Sequence, residues 1–442
     1  MERPMIDRLE RRIDREVKTR FGPGVVRRVT LLQHDDDAAI EPGDLLVRVV
    51  IEAAGGPEDY QRSLDEWAQA HQAGMKRLRR ELSLRLPPAR LLEFTVDDPG
   101  GGVATPRITM PDDPALTGEP LPTREIVETA LSLLRASYIF PDRAGQASAA
   151  IEARLAAGEY EGLDEATLAG RLTSHLYEVC EDKHLRVRRM PPLAARREPA
   201  EPGARPGPDR RERGHPFNYG IHRVERLAGN VGYLDLRGVP DPEDAGPAIA
   251  AAMELVAGTH ALIIDLRHNH GGSPQGVVFW CSYLFPDDQT HLSDIFHADT
   301  GQTRQFWSLA FVPGSRYLDR PVYLLTSHET FSGGEDFCYT LQAQGRAQVI
   351  GETTGGGAHP TMVVPISSTI AIAVPFARSI NPVTGTNWQG TGVVPDVAVP
   401  AGKAYGVAYG KALRYVLSID APPPVADEAR EAVAGLPVTD GE

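Results

Sequence analysis

Cysteine, lysine and long apolar runs are scarce in this chain. Its three cysteines, Cys180, Cys281 and Cys338, lie in apolar or helical surroundings, show no CxxC spacing and cannot all pair. They read as reduced core thiols of a cytoplasmic protein. No apolar run approaches the roughly 20 residues that span a bilayer, which argues against a membrane helix. The first ten residues, Met1 to Glu10, mix both charge signs and contain no apolar h-region, so no secretory signal is visible and the cytoplasm is the expected compartment. Positive charge is in deficit: 46 Lys+Arg stand against 60 Asp+Glu, a formal net charge of -14, which disfavours nucleic acid as a partner. No HExxH or carboxylate cluster implies a metal, and no cofactor is expected.

What is present is enough chain for several domains, 442 residues in all. Residues 1–96 read as a small α+β module: strands near Gly24–Leu32 and Leu45–Ile51, a helix with Tyr60, Leu64, Trp67, His71, Met75, Leu78 and Leu82 on one face, and a third strand through Leu92, Phe94 and Val96. No catalytic constellation falls here, so by exclusion its work is self-association or recruitment of a partner. Residues 97–122, rich in Pro, Gly and Asp, read as a linker, and 123–190 as a helical subdomain. A loop is expected over 191–216, because from Glu198 to Pro216 the only apolar residues are two alanines, and such a segment cannot bury a core. From 217 to 420 short apolar strands alternate with helices, which predicts an α/β core with a largely parallel sheet, followed by a tail over 421–442. Ligands of such a sheet collect at the carboxyl ends of its strands.

Two glycine-rich turns fall at those ends. Asp265-Leu266-Arg267-His268-Asn269-His270-Gly271-Gly272 closes an apolar strand, and paired glycines there leave backbone N–H groups open to an oxyanion or phosphate, or simply make a tight turn. Thr326 to Glu335 follows another buried strand and opens a helix at Ser332-Gly333-Gly334-Glu335. A serine so placed suits nucleophilic attack, yet Ser332-x-x-Glu335 is equally a helix capping box. A serine nucleophile needs a base. Lysine is scarce, with only Lys18, Lys76, Lys183, Lys403 and Lys411, which makes a Ser-Lys pair improbable. Among the thirteen histidines, His184 follows Asp182-Lys183, while His268, His270, His328 and His359 flank the glycine turns, and spacing alone leaves the choice open. Gly351 to Pro360, also glycine-rich, lacks the ending of a P-loop and reads as a cleft wall.

Taken in order, Asp265-Leu266-Arg267-x-Asn269-x-Gly271-Gly272, Ser332-Gly333-Gly334-Glu335 and Gly345-Arg346-Ala347-x-Val349-Ile350-Gly351-Glu352 resemble the tail-specific, or C-terminal processing, serine peptidases over roughly residues 123–420. The lysine of the Ser-Lys members matches Gly357 here, whereas Asp182-Lys183-His184 is similar to the histidine motif of the branch typified by interphotoreceptor retinoid-binding protein and the tricorn core protease. The resemblance implies a ClpP/crotonase-like α/β core, Ser332 as nucleophile, His184 as general base, and an oxyanion site from the amides of Gly333 and of Gly271 or Gly272. It gives supporting parts to Asp265, Asn269, Glu335 and Lys183. It also implies a charge-relay carboxylate at position 389, where this chain has Gln389, and Lys183 stands where the tricorn pattern has serine. No PDZ-like insertion is visible.

The expected activity is therefore serine-type hydrolysis of peptides or unfolded protein segments. The alternative is a catalytically weak or inactive scaffold that binds a peptide or an apolar small molecule, an idea prompted by Gln389.

Overall fold

The apolar runs of this chain are short, rich in Val, Ile and Leu, and bounded by Gly, Asp or Asn, which is the signature of buried strands separated by helices. The computed structural model describes residues 26–32, 46–52, 91–97, 121–190, 215–298 and 301–436. The described residues fall into two compact units, one drawn from 1–130, 188–196 and 363–372 and the other from 131–187, 197–362 and 373–442.

In the first unit β1 (Val26–Leu32), β2 (Leu46–Glu52) and β3 (Leu91–Asp97) form one sheet in the order β1-β2-β3. β1 and β2 are antiparallel, and β2 and β3 are parallel with Leu46 opposite Leu91. All three expected strands are found at the expected places. The helix expected through Tyr60 to Leu82 lies outside the described residues, as do most of the linker and most of the loop.

The second unit is built on a six-stranded sheet in the order β15-β11-β10-β7-β6-β5. Its strands are β5 (Ile221–Leu227), β6 (Val231–Leu236), β7 (Ala261–Asp265), β10 (Val322–Thr326), β11 (Gln348–Gly351) and β15 (Val397–Ala398). β6, β7, β10, β11 and β15 are mutually parallel, and only β5 runs against its neighbour. Period-two alternation sends successive side chains to opposite faces. Leu262, Ile264 and Leu324 pack on one face against helices α4 (Pro242–Val256), α5 (Pro274–Ser282) and α6 (Gly333–Ala343). Ala261, Ile263 and Leu325 pack on the other against α7 (Ala401–Ser418) and α8 (Pro423–Ala434). Burying a side chain such as Ile263 or Leu324 contributes about 1.5–3 kcal/mol, and the two-sided core makes these strands apolar throughout.

Before the sheet come α1 (Thr123–Ser137), α2 (Pro141–Ala156) and α3 (Glu165–Cys180), followed by β4 (Arg186–Arg189). Asp164 caps α3 by accepting from the amides of Ala166 and Thr167, and the helix ends at Glu181 in a left-handed conformation, φ 52°. That turn delivers Asp182, Lys183 and His184 directly. The remaining strands, β8 (His291–His297), β9 (Gln302–Trp307), β12 (Thr361–Pro365), β13 (Ile370–Pro375) and β14 (Ala377–Ile380), make two small sheets, β14-β8-β9 and β12-β13-β4.

The structure adds to or departs from the sequence reading at three places. The tail over 421–442 contains α8, whose buried Ala429 packs beside Leu413 of α7 around Gly229. Val425, Ala432 and Val433 of the same helix pack against that core as well. The strand expected over Val393–Val399 shrinks to two residues, since Val393 turns into the core and its N–H donates to the Thr354 hydroxyl. The hairpin β8/β9 is an addition to the elements expected: Leu292, Ser293 and Ile295 are buried in β8, a pattern without strict alternation.

Candidate active site

β7 and β10 are adjacent and in register, Leu325 opposite Asp265, so the turns that follow them emerge side by side at the carboxyl edge of the sheet. Asp265 and Asn269 hold the first turn. The Asp265 carboxylate accepts from Arg267 Nη2 at 2.5 Å and from the Tyr233 hydroxyl at 2.7 Å, and Arg267 Nη1 reaches Ala401 O at 2.9 Å. Burial pushes that carboxyl up, but the Arg267 and Tyr233 hydrogen bonds outweigh it and hold it below its ordinary value. Buried Asn269 donates through Nδ2 to Leu236 O at 2.8 Å, accepts from Gly271 N at 2.9 Å, and through its own carbonyl accepts from Phe331 N at 2.9 Å. One side chain and its peptide thus tie three loops together.

Ser332 ends the second turn at φ 55°, ψ −123°, a left-handed conformation uncommon for a residue with a Cβ. Such strain persists only where the surroundings over-determine it, and it gathers at functional sites. The two turns touch: a Cβ on Gly271 would lie 2.7 Å from both Gly333 N and Ser332 Cβ. A Cβ on Gly272 would lie 2.0 Å from Val239 O, so only glycine fits there. The open amides are now distinguishable. Gly271 N is consumed by Asn269, which removes it from the oxyanion candidates, whereas Gly272 N and Gly333 N donate to no acceptor among the described residues. They are near one another, since a Cβ on Gly333 would come within 2.9 Å of Gly272 N.

The capping and functional readings of Ser332-x-x-Glu335 prove compatible. Buried Glu335 accepts from Ser332 N at 2.8 Å, as a capping box requires. It also accepts from the Thr354 hydroxyl at 2.6 Å, Gly356 N at 2.6 Å and Gly357 N at 2.9 Å. The carboxylate therefore anchors the glycine-rich wall to the serine turn.

His184 packs against that wall. Its ring lies 4.6 Å from the ring of Phe331, the residue before Ser332, and a Cβ on Gly357 would meet His184 Cε1 at 2.7 Å and Phe331 Cζ at 2.3 Å. A side chain at 357 and the His184 ring compete for one place. Lys183 is committed elsewhere, its Nζ donating to Gly355 O at 2.6 Å. Neither ring nitrogen of His184 is hydrogen bonded to a described residue, Ser332 and Gln389 included, and Nδ1 is sealed from solvent. Burial drives its pKa down to about 4, so the ring is neutral at physiological pH.

The other histidines near the turns are less suited. His328 is 79 % exposed and pairs with Glu352, and exposed His268 pairs with Glu329. His270 is also exposed. Gln389 departs from its expected part: its Oε1 accepts from Ala358 N at 2.8 Å, supporting the glycine wall rather than a histidine ring. One pairing was not anticipated from sequence. His359 Nδ1 and Asp182 Oδ2 are 2.7 Å apart and both residues are buried, yet nothing in the spacing joins positions so distant.

Among the described residues no cluster of three or more His, Cys, Asp or Glu is arranged to hold a metal ion, and no helix is long and apolar enough to cross a membrane. The arrangement offers a strained hydroxyl, two unengaged amides beside it and a neutral imidazole across one aromatic ring.

Residues 230–399 match the model of peptidase family S41, and residues 122–213 match that of the N-terminal domain of peptidase S41 in eukaryotic IRBP. The first span contains both glycine turns and the second contains His184. Among solved structures, the chain is similar to a lipoprotein from Streptococcus agalactiae, with 12% identity over 64% of this chain and 93% of that one and a TM-score of 0.45. It is similar to the photosystem II D1 C-terminal processing protease, with 17% identity, 64% and 94% coverage and a TM-score of 0.42. It is also similar to the tricorn protease, with 13% identity, 77% and 38% coverage and a TM-score of 0.41.

Proposed function

The chain belongs to peptidase family S41, and from that premise we propose that it is a serine-type peptidase acting on peptides or unfolded protein segments. The observation that carries the reading is Ser332, held at φ 55° on the strand-to-helix turn, beside the unengaged amides of Gly333 and Gly272.

In the proposed reaction Ser332 Oγ attacks the scissile carbonyl carbon and its proton passes to His184. The carbonyl oxygen, now an oxyanion, takes hydrogen bonds from Gly333 N and Gly272 N, donors fixed in place before the reaction begins. Collapse breaks the C–N bond, His184 returns the proton to the leaving amine, and water resolves the acyl-enzyme by the same sequence in reverse. The hydrogen bond between His184 and Ser332 then forms in the substrate complex, as such contacts often tighten only there. The test is digestion of an unstructured protein by wild type and Ser332→Ala, with products read by mass spectrometry. If wild type binds the substrate and leaves it intact, the scaffold binds without cutting.

A pH profile follows from the buried base. With a folded-state pKa of about 4, His184 stays unprotonated down to mildly acidic pH, so kcat/KM should hold level from about pH 5.5 upward and halve near pH 4. The same shift has a stability consequence. The unfolded histidine, with a pKa near 6.5, binds more protons than the folded one between about pH 6.5 and 4, so stability declines as pH falls through that window. An acid limb centred at pH 6.5 or above would remove His184 as the base.

Gln389→Glu should change little. Either side chain can accept from Ala358 N, and Gln389 is not bonded to His184, so kcat is expected to move by less than about fivefold, under 1 kcal/mol of barrier. A gain of a hundredfold or more would show that a carboxylate at 389 does reach the base.

A further inference from the structure

Asp182 lies two residues before the proposed base and is 1% exposed. Its carboxylate is fully engaged: Oδ1 accepts the main-chain N–H of His184 at 2.9 Å, and Oδ2 accepts from His359 Nδ1 at 2.7 Å and from the Tyr138 hydroxyl at 3.4 Å. A carboxylate can only accept, so the His359 hydrogen in this pair sits on Nδ1. The His359 ring is held in turn, edge-on to Phe140 at 5.4 Å between centroids. This buried pair spans 177 positions of sequence and bears on one short segment, the residues Asp182 to His184. Meanwhile residue 389, a glutamine, carries no charge, and its Oε1 is occupied by Ala358 N.

We propose that Asp182 is a positioning residue for the base: clamped by His359, it fixes the main chain of His184 and supplies the negative charge that the ring needs when it takes the Ser332 proton. The inference rests on His184 acting as the base. Asp182 is not itself protonated in the step. The proton moves from Ser332 Oγ to the His184 ring and no further, leaving an imidazolium and a carboxylate close together in a low-dielectric interior, where attraction is strong. The titratable groups facing His184 are Asp182, which favours the protonated ring, and His359 and Arg186, which oppose it. Asp182 is the one among them that can offset the cost of burying the imidazolium.

The discriminating variant is Asp182→Asn in the full chain. Asparagine keeps the shape, can still accept the His184 N–H, and can donate from Nδ2 to His359 once that ring changes tautomer, so a purely structural role predicts near-normal behaviour. The proposal predicts a kcat lower by about 100-fold or more with KM within about threefold. It also predicts that the His184 midpoint, followed by NMR of its ring Cε1–H and assigned by the loss of that signal in His184→Gln, moves to lower pH. His359→Gln, which can still donate to Oδ2, should retain kcat within about fivefold, whereas His359→Phe should lose about 30-fold or more, having left one carboxylate oxygen without its main donor. Wild-type kcat and an unmoved His184 midpoint in Asp182→Asn would overturn the proposal. So would equal losses in the two His359 variants, a comparison that decides the matter if Asp182→Asn fails to fold. If the wild type cuts no substrate, the peptidase reading fails, and the NMR midpoints still test the coupling on their own.

Discussion

Ser332→Gly is expected to abolish peptide hydrolysis and at the same time raise the thermal midpoint. The loss of activity follows from removing the attacking oxygen, and comparable deletions of a nucleophile cost about 10⁴- to 10⁶-fold in kcat. The gain in stability follows from the backbone. Holding a residue with a Cβ at φ 55° costs roughly 1–3 kcal/mol, and glycine adopts that conformation with little strain. Losing the serine at the N-cap takes back only a few tenths of a kcal/mol when glycine replaces it. A net gain of about 1 kcal/mol corresponds to about 2–4 °C in a domain of this size. Ser332→Ala separates the two effects: it should be equally inactive, but alanine keeps the Cβ and the strain, so its midpoint should fall at or slightly below wild type. Calorimetry and a cleavage assay on the three proteins check this. Cutting by either variant within about 100-fold of the wild-type rate would exclude Ser332 as nucleophile, and a midpoint for glycine below that for alanine would show that the turn is unstrained.

Glu335→Ala is expected to cause the largest loss of stability of any single change at the site. Four donors converge on this carboxylate, from Ser332 N, the Thr354 hydroxyl, Gly356 N and Gly357 N, and truncation strands all of them. Each buried unsatisfied donor costs about 1–3 kcal/mol, and with partial relief from entering water the total should be about 4 kcal/mol or more, or a fall of about 8–16 °C in midpoint. Hydrolysis should collapse with it, because the glycine wall that packs against Phe331 and His184 loses its anchor to the serine turn. Glu335→Gln should fall between, since an amide nitrogen facing two donors cannot accept from either. Chemical denaturation measures the effect. A loss under about 1 kcal/mol for alanine would reduce Glu335 to an ordinary helix cap.

The legible parts of the site are those whose cause is local. A glycine pair after an apolar strand and a serine before Gly-Gly-Glu announce their turns, because the dihedral freedom and the cap are properties of neighbouring residues. The illegible parts depend on what arrives from elsewhere. That Asn269 uses the Gly271 N–H, leaving Gly272 as the second amide, depends on Asn269 also meeting Leu236 and Phe331. That Gln389 props Ala358 rather than touching a histidine depends on how residues 387–390 fold back, with Trp388 Nε1 donating to Gly357 O at 2.8 Å. The helix over Pro423–Ala434 is illegible for a related reason: Gly229, beside which its Ala429 packs, is remote in sequence.

The linear order of residues by itself determined the alternation of strands and helices in the core and the two glycine turns. Short-range physics accounts for this: side-chain periodicity, glycine dihedrals and N-capping act within a few residues and need no partner. Tertiary structure alone decided which amides stay open, which carboxylate ties the glycine wall down, and that Asp182 lies against His359 across 177 positions. Those are matters of burial, where a polar group must find whichever partner the packed chain brings to it, and no spacing in the sequence specifies that partner.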